Sequence, residues 1–297
     1  MSTIQNYGAG PINRSRRTRA RVEQLDLQIL AVLCEDHPQS IRHVFYRMTD
    51  PRLLEPVEKS DLGYRHVQHR CVELRRQGKL PYHWISDASR RGYFVDTYSG
   101  AGDFLKRVTG FYRADLWADA AAHVEVWVES RSLAGVIQAD CEELAVSLFP
   151  CGGFSSITFA HEAAGFMNRH VQKPAVIYYL GDYDPAGVLI DQVLERELRE
   201  HLDPHVDMRF VRLAITEEQI SRYDLPTKPR KSGDRRSQHV KETVEAEAMP
   251  ARELRSLLRE HVESWLPAGA LQAAKVAEAS EREQLNRMAL LLPGRKS

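Results

Sequence analysis

The sequence predicts an α/β chain, with an N-terminal helical region followed by a doubly wound unit on a parallel sheet. Three observations predict it. Apolar, β-branched and aromatic runs at 123–129, 175–180 and 206–215 alternate with segments of helical spacing, the pattern of parallel strands joined by crossover helices. Helical patterns without strands fill residues 22–77. Acidic residues stand where two of the runs end: Glu129 after the first, Asp182 and Asp184 after the second. In open α/β sheets, ligands bind at that C-terminal mouth.

The elements follow in chain order. Residues before about 25 read as a mobile basic arm, from Asn13 to Arg21. Val22, Leu25, Leu27, Ile29, Leu30 and Leu33 have helical apolar spacing. Ser40 is placed to N-cap a second helix over 41–48, which Asp50-Pro51 ends. A third helix runs from about Asp61 through Gln77, with Gly78 as its C-terminal stop. Residues 80–87 then look extended. Three short helices followed by extended chain fit a winged-helix (CAP-like) domain, a DNA-binding form of the helix-turn-helix. Its third helix carries Arg65, Arg70, Arg75 and Arg76, with Lys79 just beyond. Arginine forks suit phosphate and guanine; the plainer alternative is a solvated amphipathic helix. Arg42 stands one helical turn before Tyr46, so the two share a face. Taken alone, Phe45-Tyr46 reads as core packing.

In the second half, the strand at 123–129 leads into a helix from Leu133, and 155–167 is helical. The strand at 175–180 leads through Asp182-Tyr183-Asp184-Pro185-Ala186-Gly187 into another helix. Residues i and i+2 of an extended chain point the same way, so Asp182 and Asp184 are expected to converge. Adjacent carboxylates repel unless a cation lies between them, and oxygen-only ligands select a hard ion such as Mg²⁺. An isolated D-x-D at a strand end also serves simply to cap the next helix. Glu245 and Glu247 precede a helix from about Ala251, either as accessory carboxylates or as helix-flanking acids. Gly152-Gly153 reads as a tight turn, and His161-Glu162 lacks zinc-protease spacing. A last helix begins after Ala268.

Composition narrows the classes. Forty-one basic and 41 acidic residues among 297 cancel to a formal charge of zero, so no global basic field attracts nucleic acid. Basic residues cluster instead at 13–21, 64–79 and 228–236, which favours contacts to a DNA or RNA backbone. The four cysteines lack C-x-x-C spacing and fit reduced thiols in a cytoplasmic, nucleoid-associated protein. No apolar stretch is long enough to span a membrane, and no P-loop offers an ATP site.

Glu129 at one strand end, then Asp182-x-Asp184-Pro-x-Gly187 at a later one, resembles the Toprim domain of topoisomerases, primases and some nucleases. The resemblance implies that these acids hold Mg²⁺ beside a phosphodiester, with Glu129 also able to act in acid–base chemistry. The Arg42-x-x-x-Tyr46 helix ahead of that domain resembles the A subunit of topoisomerase VI and the meiotic double-strand-break transesterase. Residues 64–90 look like the compact, single-gene mini-A relatives. Ser130-Arg131 follows Glu129 where the family usually has a lysine.

Carried over position by position, Tyr46 is the nucleophile forming a 5′-phosphotyrosyl link, Arg42 its companion, and Glu129, Asp182 and Asp184 the metal carboxylates. The resemblance implies double-stranded DNA as substrate. It also implies a homodimer in which one subunit's tyrosine meets the other's metal site, and a separate ATPase subunit for strand passage. The expected arrangement is an arm over 1–24, a winged helix over 25–118, and a Toprim domain with C-terminal helices over 119–297. The expected activity is that of a type IIB topoisomerase A-like DNA-cleaving enzyme. The alternatives are a Toprim nuclease using water, or a DNA-binding subunit dependent on an ATPase.

Overall fold

The computed structural model describes residues 17–86, 95–152, 157–229 and 240–292. Parts of the basic runs at 13–21 and 228–236, the end of the 80–87 stretch and of the mini-A-like segment, Gly153, and the first residues of the helix expected from 155 lie outside these.

Three helices open the chain: α1 (Arg19–Glu35), α2 (Ile41–Met48) and α3 (Asp61–Arg76). Each starts where a hydroxyl can satisfy an unpaired amide: Thr18 caps α1, Ser40 caps α2 and Ser60 caps α3. α1 therefore begins within the stretch expected to be an arm. Arg17 and Arg21 both turn onto the buried Glu55 carboxylate, at 2.6 and 2.7 Å, which anchors that start. Gly78 has φ +69°, and only glycine tolerates that at no steric cost.

Beyond it, the expected extended stretch is instead broken by a 3₁₀ turn at Tyr82–Trp84. Pro81 precedes that turn, and the Arg75 guanidinium clamps the carbonyls of Tyr82 (2.7 Å) and Ile85 (3.1 Å). α4 (Ala101–Val108) lies before the sheet.

The sheet has four parallel strands: β1 (His123–Val128), β2 (Ser147–Pro150), β3 (Ala175–Leu180) and β4 (Met208–Ala214), in the order β2-β1-β3-β4. The crossovers are α5 (Arg131–Glu143), α6 (Ile157–His170) and α7 (Gly187–His201). Val124, Val126, Val128, Val176, Tyr178 and Leu180 face one side. Trp127, Ile177 and Tyr179 face the other, among Ala160, Met167, Leu194 and Leu198 of α6 and α7. Both faces are thus covered, as near-continuous apolar strands require.

After β4 come α8 (Glu217–Arg222) and a short antiparallel pair, β5 (Lys228–Pro229) with β6 (Glu242–Thr243). α9 (Ala251–Glu263) and α10 (Ala270–Leu291) complete the described residues. The valine face of the sheet shares one buried cluster with α1, α2, α3 and α9. α10 packs along α4, where a side chain at Gly102 would meet the Ala289 carbonyl at 3.0 Å. Among the described residues, no helix is long and apolar enough to cross a membrane.

Candidate functional site

The carboxylates are placed by the ends of β1 and β3. Register pairs Val128 with Leu180, and the Glu129 N–H continues the ladder to the Leu180 carbonyl (2.9 Å). The Asp182 N–H then donates to Glu129 Oε2 (2.8 Å). Between them, Gly181 leaves no room for a side chain: a Cβ would lie 2.7 Å from the Tyr179 ring and 2.8 Å from Glu129 Oε2. Asp184 Oδ1 accepts from the Ala186 and Gly187 N–H groups at 2.9 and 2.5 Å, capping the start of α7. Gly187 is required there too, since a Cβ would stand 2.2 Å from the Asp182 carbonyl oxygen.

A distant segment closes on these acids. Tyr183 and Val244 exchange two backbone hydrogen bonds, both 2.8 Å, which carries residues 244–248 across the strand ends. The Ala246 N–H donates to Asp182 Oδ1 (2.8 Å). Glu247 is buried, with its Oε1 accepting from the Ser132 hydroxyl (2.6 Å) at the start of α5.

Crowding raises the acids' proton affinity. Burial, foremost, and then Glu129 and Glu247 push the Asp182 carboxyl up to about 8, against the Ala246 N–H. Burial also lifts Glu129, opposed by the Asp182 N–H and reinforced by Asp184. A crowded, oxygen-only set short of positive charge fits a hard divalent cation in donor chemistry. Among the described residues, however, no three acidic, histidine or cysteine side chains already stand as a ligand cage. Glu129, Asp182 and Asp184 each spend one oxygen on backbone N–H groups.

Tyr46 lies on α2, 6 % exposed, with its ring 5.3 Å from that of Phe45. It is buried, as its surroundings in the sequence suggest, but its hydroxyl is not among apolar atoms. It meets the Glu245 carboxylate, which also forms a short ion pair with Arg42 and lies 3.4 Å from Lys228 Nζ. Lys59 Nζ stands 5.5 Å over the Tyr46 ring and donates to the Thr227 carbonyl (3.0 Å). Burial and then Glu245 hold the phenol well above its ordinary value, with Arg42 opposing. Burial pushes the Glu245 carboxyl up, but Arg42 and Lys228 more than offset it, so it is held below its usual range. Burial and Lys228 bring the Lys59 ammonium down to about 8.

The residues 245–247 therefore join the two sets named from sequence. At one end Glu245 holds Tyr46 and Arg42; at the other, Ala246 and Glu247 border Asp182 and Ser132. This junction lies within one chain.

The basic residues of α3 divide. Arg65, Arg76 and Lys79 are exposed, although Arg76 reaches Glu73 (2.9 Å). Arg70 is bound in a fork to Asp26 (2.8 and 2.6 Å), each side chain only 14 % exposed. Arg75 is spent on the 3₁₀ turn. A cavity of about 450 Å³ is lined by Arg42 of α2 and by Tyr64, Gln68 and Arg75 of α3.

Two contributors escape sequence reasoning. Arg212, on β4, donates to the carbonyls of Gly181, Asp182 and Ile215 (each 3.2 Å) and Gly187 (2.7 Å), and pairs with Asp191 at 2.5 Å. It staples the strand end that carries Asp182 to the start of α7. A guanidinium inside an apolar strand is a readable signal for such a role. Lys59 carries no local signal. Comparisons of this chain with protein-family models, with curated proteins and with solved structures find no match in any of the three.

Proposed function

We propose that this chain is a Mg²⁺-dependent DNA strand-cleaving protein of the type IIB topoisomerase A-subunit kind, a winged helix joined to a Toprim domain. The observation that carries this reading is the junction at 245–247, which sets a tyrosine and an arginine beside a cluster of charge-starved carboxylates. A buried tyrosine facing a carboxylate and an arginine is unusual for simple packing, where the hydroxyl needs only one neutral partner.

Glu129, Asp182 and Asp184 would hold the Mg²⁺ through oxygens not used on backbone amides. The ion supplies charge stabilisation to a phosphodiester and its departing oxygen. Tyr46 Oη attacks phosphorus, the bond from phosphorus to the 3′ oxygen breaks, that oxygen leaves as a 3′ hydroxyl with a proton from solvent, and the chain keeps a 5′-phosphotyrosyl link. Glu245 is the carboxylate placed to take the phenol proton. Arg42 neutralises charge on the phosphate oxygens. The exposed Arg65, Arg76 and Lys79 extend the basic surface for double-stranded DNA. Dimerisation and a separate ATPase subunit belong to the same proposal.

One observation favours a second reading, in which a Toprim nuclease delivers water. The Tyr46 phenol is held protonated by burial and by Glu245, and a protonated phenol is a poor nucleophile. The experiment is cleavage of supercoiled plasmid with Mg²⁺, quenched in detergent with and without protease. Protein-linked breaks, absent in Tyr46→Phe and Asp182→Ala, are expected. Free-ended breaks that survive in Tyr46→Phe and vanish in Asp182→Ala would replace the transesterase with the nuclease.

A further inference from the structure

Glu245 holds an odd position for a carboxylate. Arg42, Lys228 and Lys59 all bear on it, and the Tyr46 hydroxyl closes the remaining side. Three cations thus bear on the Glu245 carboxylate, while Glu247, hydrogen-bonded by Ser132, acts on Arg42 from further off. Burial, and after it the neighbouring Lys228, lowers the proton affinity of Lys59, with Glu245 opposing. The place is also open: side-chain exposure is 46 % for Arg42, 43 % for Lys228 and 27 % for Glu245.

A guanidinium fork accepts a carboxylate or a phosphate with the same planar, two-oxygen geometry. The group that Tyr46 would attack must lie against its hydroxyl, where the Glu245 carboxylate now is. We propose that Arg42, Lys59 and Lys228 form a seat for a DNA backbone phosphate, filled in the free chain by the Glu245 carboxylate, which the phosphodiester displaces. The inference rests on the proposed cleavage function and adds to it an internal competitor for the scissile phosphate.

Displacement has two effects. Glu245 loses its ion pair with Arg42, so its affinity for a proton rises as the phosphate arrives. The cations that lose Glu245 gain a diester of equal charge. Binding is thus weakened by the competitor, while the carboxylate is freed beside the hydroxyl it must deprotonate.

The test compares wild type, Glu245→Gln, Glu242→Gln and the double variant Glu245→Gln/Arg42→Gln. Binding of a short DNA duplex is followed by anisotropy in chelator, where no cleavage occurs. Inorganic phosphate is titrated in parallel, with thermal shift as the readout at constant ionic strength. E245Q is expected to bind the duplex about two- to fivefold more tightly, the worth of one partly exposed ion pair, and to gain more thermal protection from phosphate. E242Q, which removes the same charge from exposed β6, stays at wild type. The double variant loses the gain, which ties it to Arg42.

Equal gains in E242Q and E245Q, or none in E245Q, overturn the seat. The cleavage reading fails separately: if no variant forms protein-linked breaks and E245Q still gains both affinities, the phosphate seat stands without the transesterase.

Discussion

The Asp182 N–H donates to Glu129 Oε2 at 2.8 Å, so the ends of β1 and β3 are tied by one acid's backbone and the other's side chain. The bond fixes where both carboxylates stand before any ligand arrives. It also concentrates negative charge, because the donor that steadies Glu129 brings the Asp182 carboxyl with it.

That crowding has a thermodynamic sign. The folded chain holds the Asp182 proton up to about 8 against an ordinary 3.8. Between those values the folded state binds more protons than the unfolded, so this contribution to stability is full at low pH and is lost as pH rises through the folded value. Asp182→Asn keeps an oxygen for the Ala246 N–H without the charge. In chelator at alkaline pH it is expected to be more stable than wild type by about 1–2 kcal/mol, a Tm gain of about 3–6 °C. The gain should shrink at pH 5, and Mg²⁺ should raise the Tm of wild type alone. Thermal unfolding at the two pH values, with and without Mg²⁺, checks all three.

Arg212 and Asp191 form a part-buried pair, 15 % and 12 % exposed, that also satisfies four carbonyls. Arg212→Ala leaves Asp191 without its cation and takes one donor from each of those carbonyls. A loss of about 3–5 kcal/mol in urea unfolding is expected, with any Mg²⁺-dependent activity falling alongside. Lysine cannot reproduce the fork, so Arg212→Lys should recover only part. A variant at wild-type stability would show that the staple is not needed.

Gly187→Ala tests the close approach at the start of α7. Its Cβ would stand 2.2 Å from a backbone oxygen, and backbone has no flexible end to move aside. A cost of about 3 kcal/mol or more is expected from the forced shift of the Asp182–Asp184 loop. Gly152→Ala, where no atom lies within 4 Å of the new Cβ but φ is +59°, should cost only about 1 kcal/mol. Denaturant midpoints separate the two.

The arginines of α3 should split by assay. Arg70→Ala removes the partner of a nearly buried Asp26 and should cost about 1–3 kcal/mol of stability. Arg76→Ala should leave stability within about 0.5 kcal/mol. If α3 meets DNA, R76A also lowers the slope of log affinity against log salt by about 0.9. An unchanged slope would remove Arg76 from the interface.

The legible parts of the fold were those written locally. Ser40 and Gly78 mark helix ends with chemistry that acts within a few residues, and 123–128 and 175–180 are apolar enough to be strands on any reading. β2 was not legible: it is four residues at the sheet edge, partly exposed, and it exists because β1 offers an unpaired ladder. The acids at 129, 182 and 184 could be named from strand ends, but not that each would use an oxygen on a backbone amide. Glu245 could be flagged only as an acid before a helix. Its partners Arg42 and Tyr46 are some 200 positions away, joined through the Tyr183–Val244 bridge that no local pattern announces. Arg70 and Arg75 looked like their neighbours on the helix, and only Asp26 and the turn at 82–84 distinguish them.

The buried cluster shared by α2, β1 and β3 has a mechanical consequence. Drawing the Tyr46 helix away from its own chain's carboxylates would first part it from the turn at 246–248, which packs on α2. The cost of such a motion is set by the buried cluster in which α2 and the sheet both take part. A ligand that reaches Arg42 and Tyr46 meets Glu245 and Lys228 as well, since Arg42 and Lys228 both pair with that one partly exposed carboxylate.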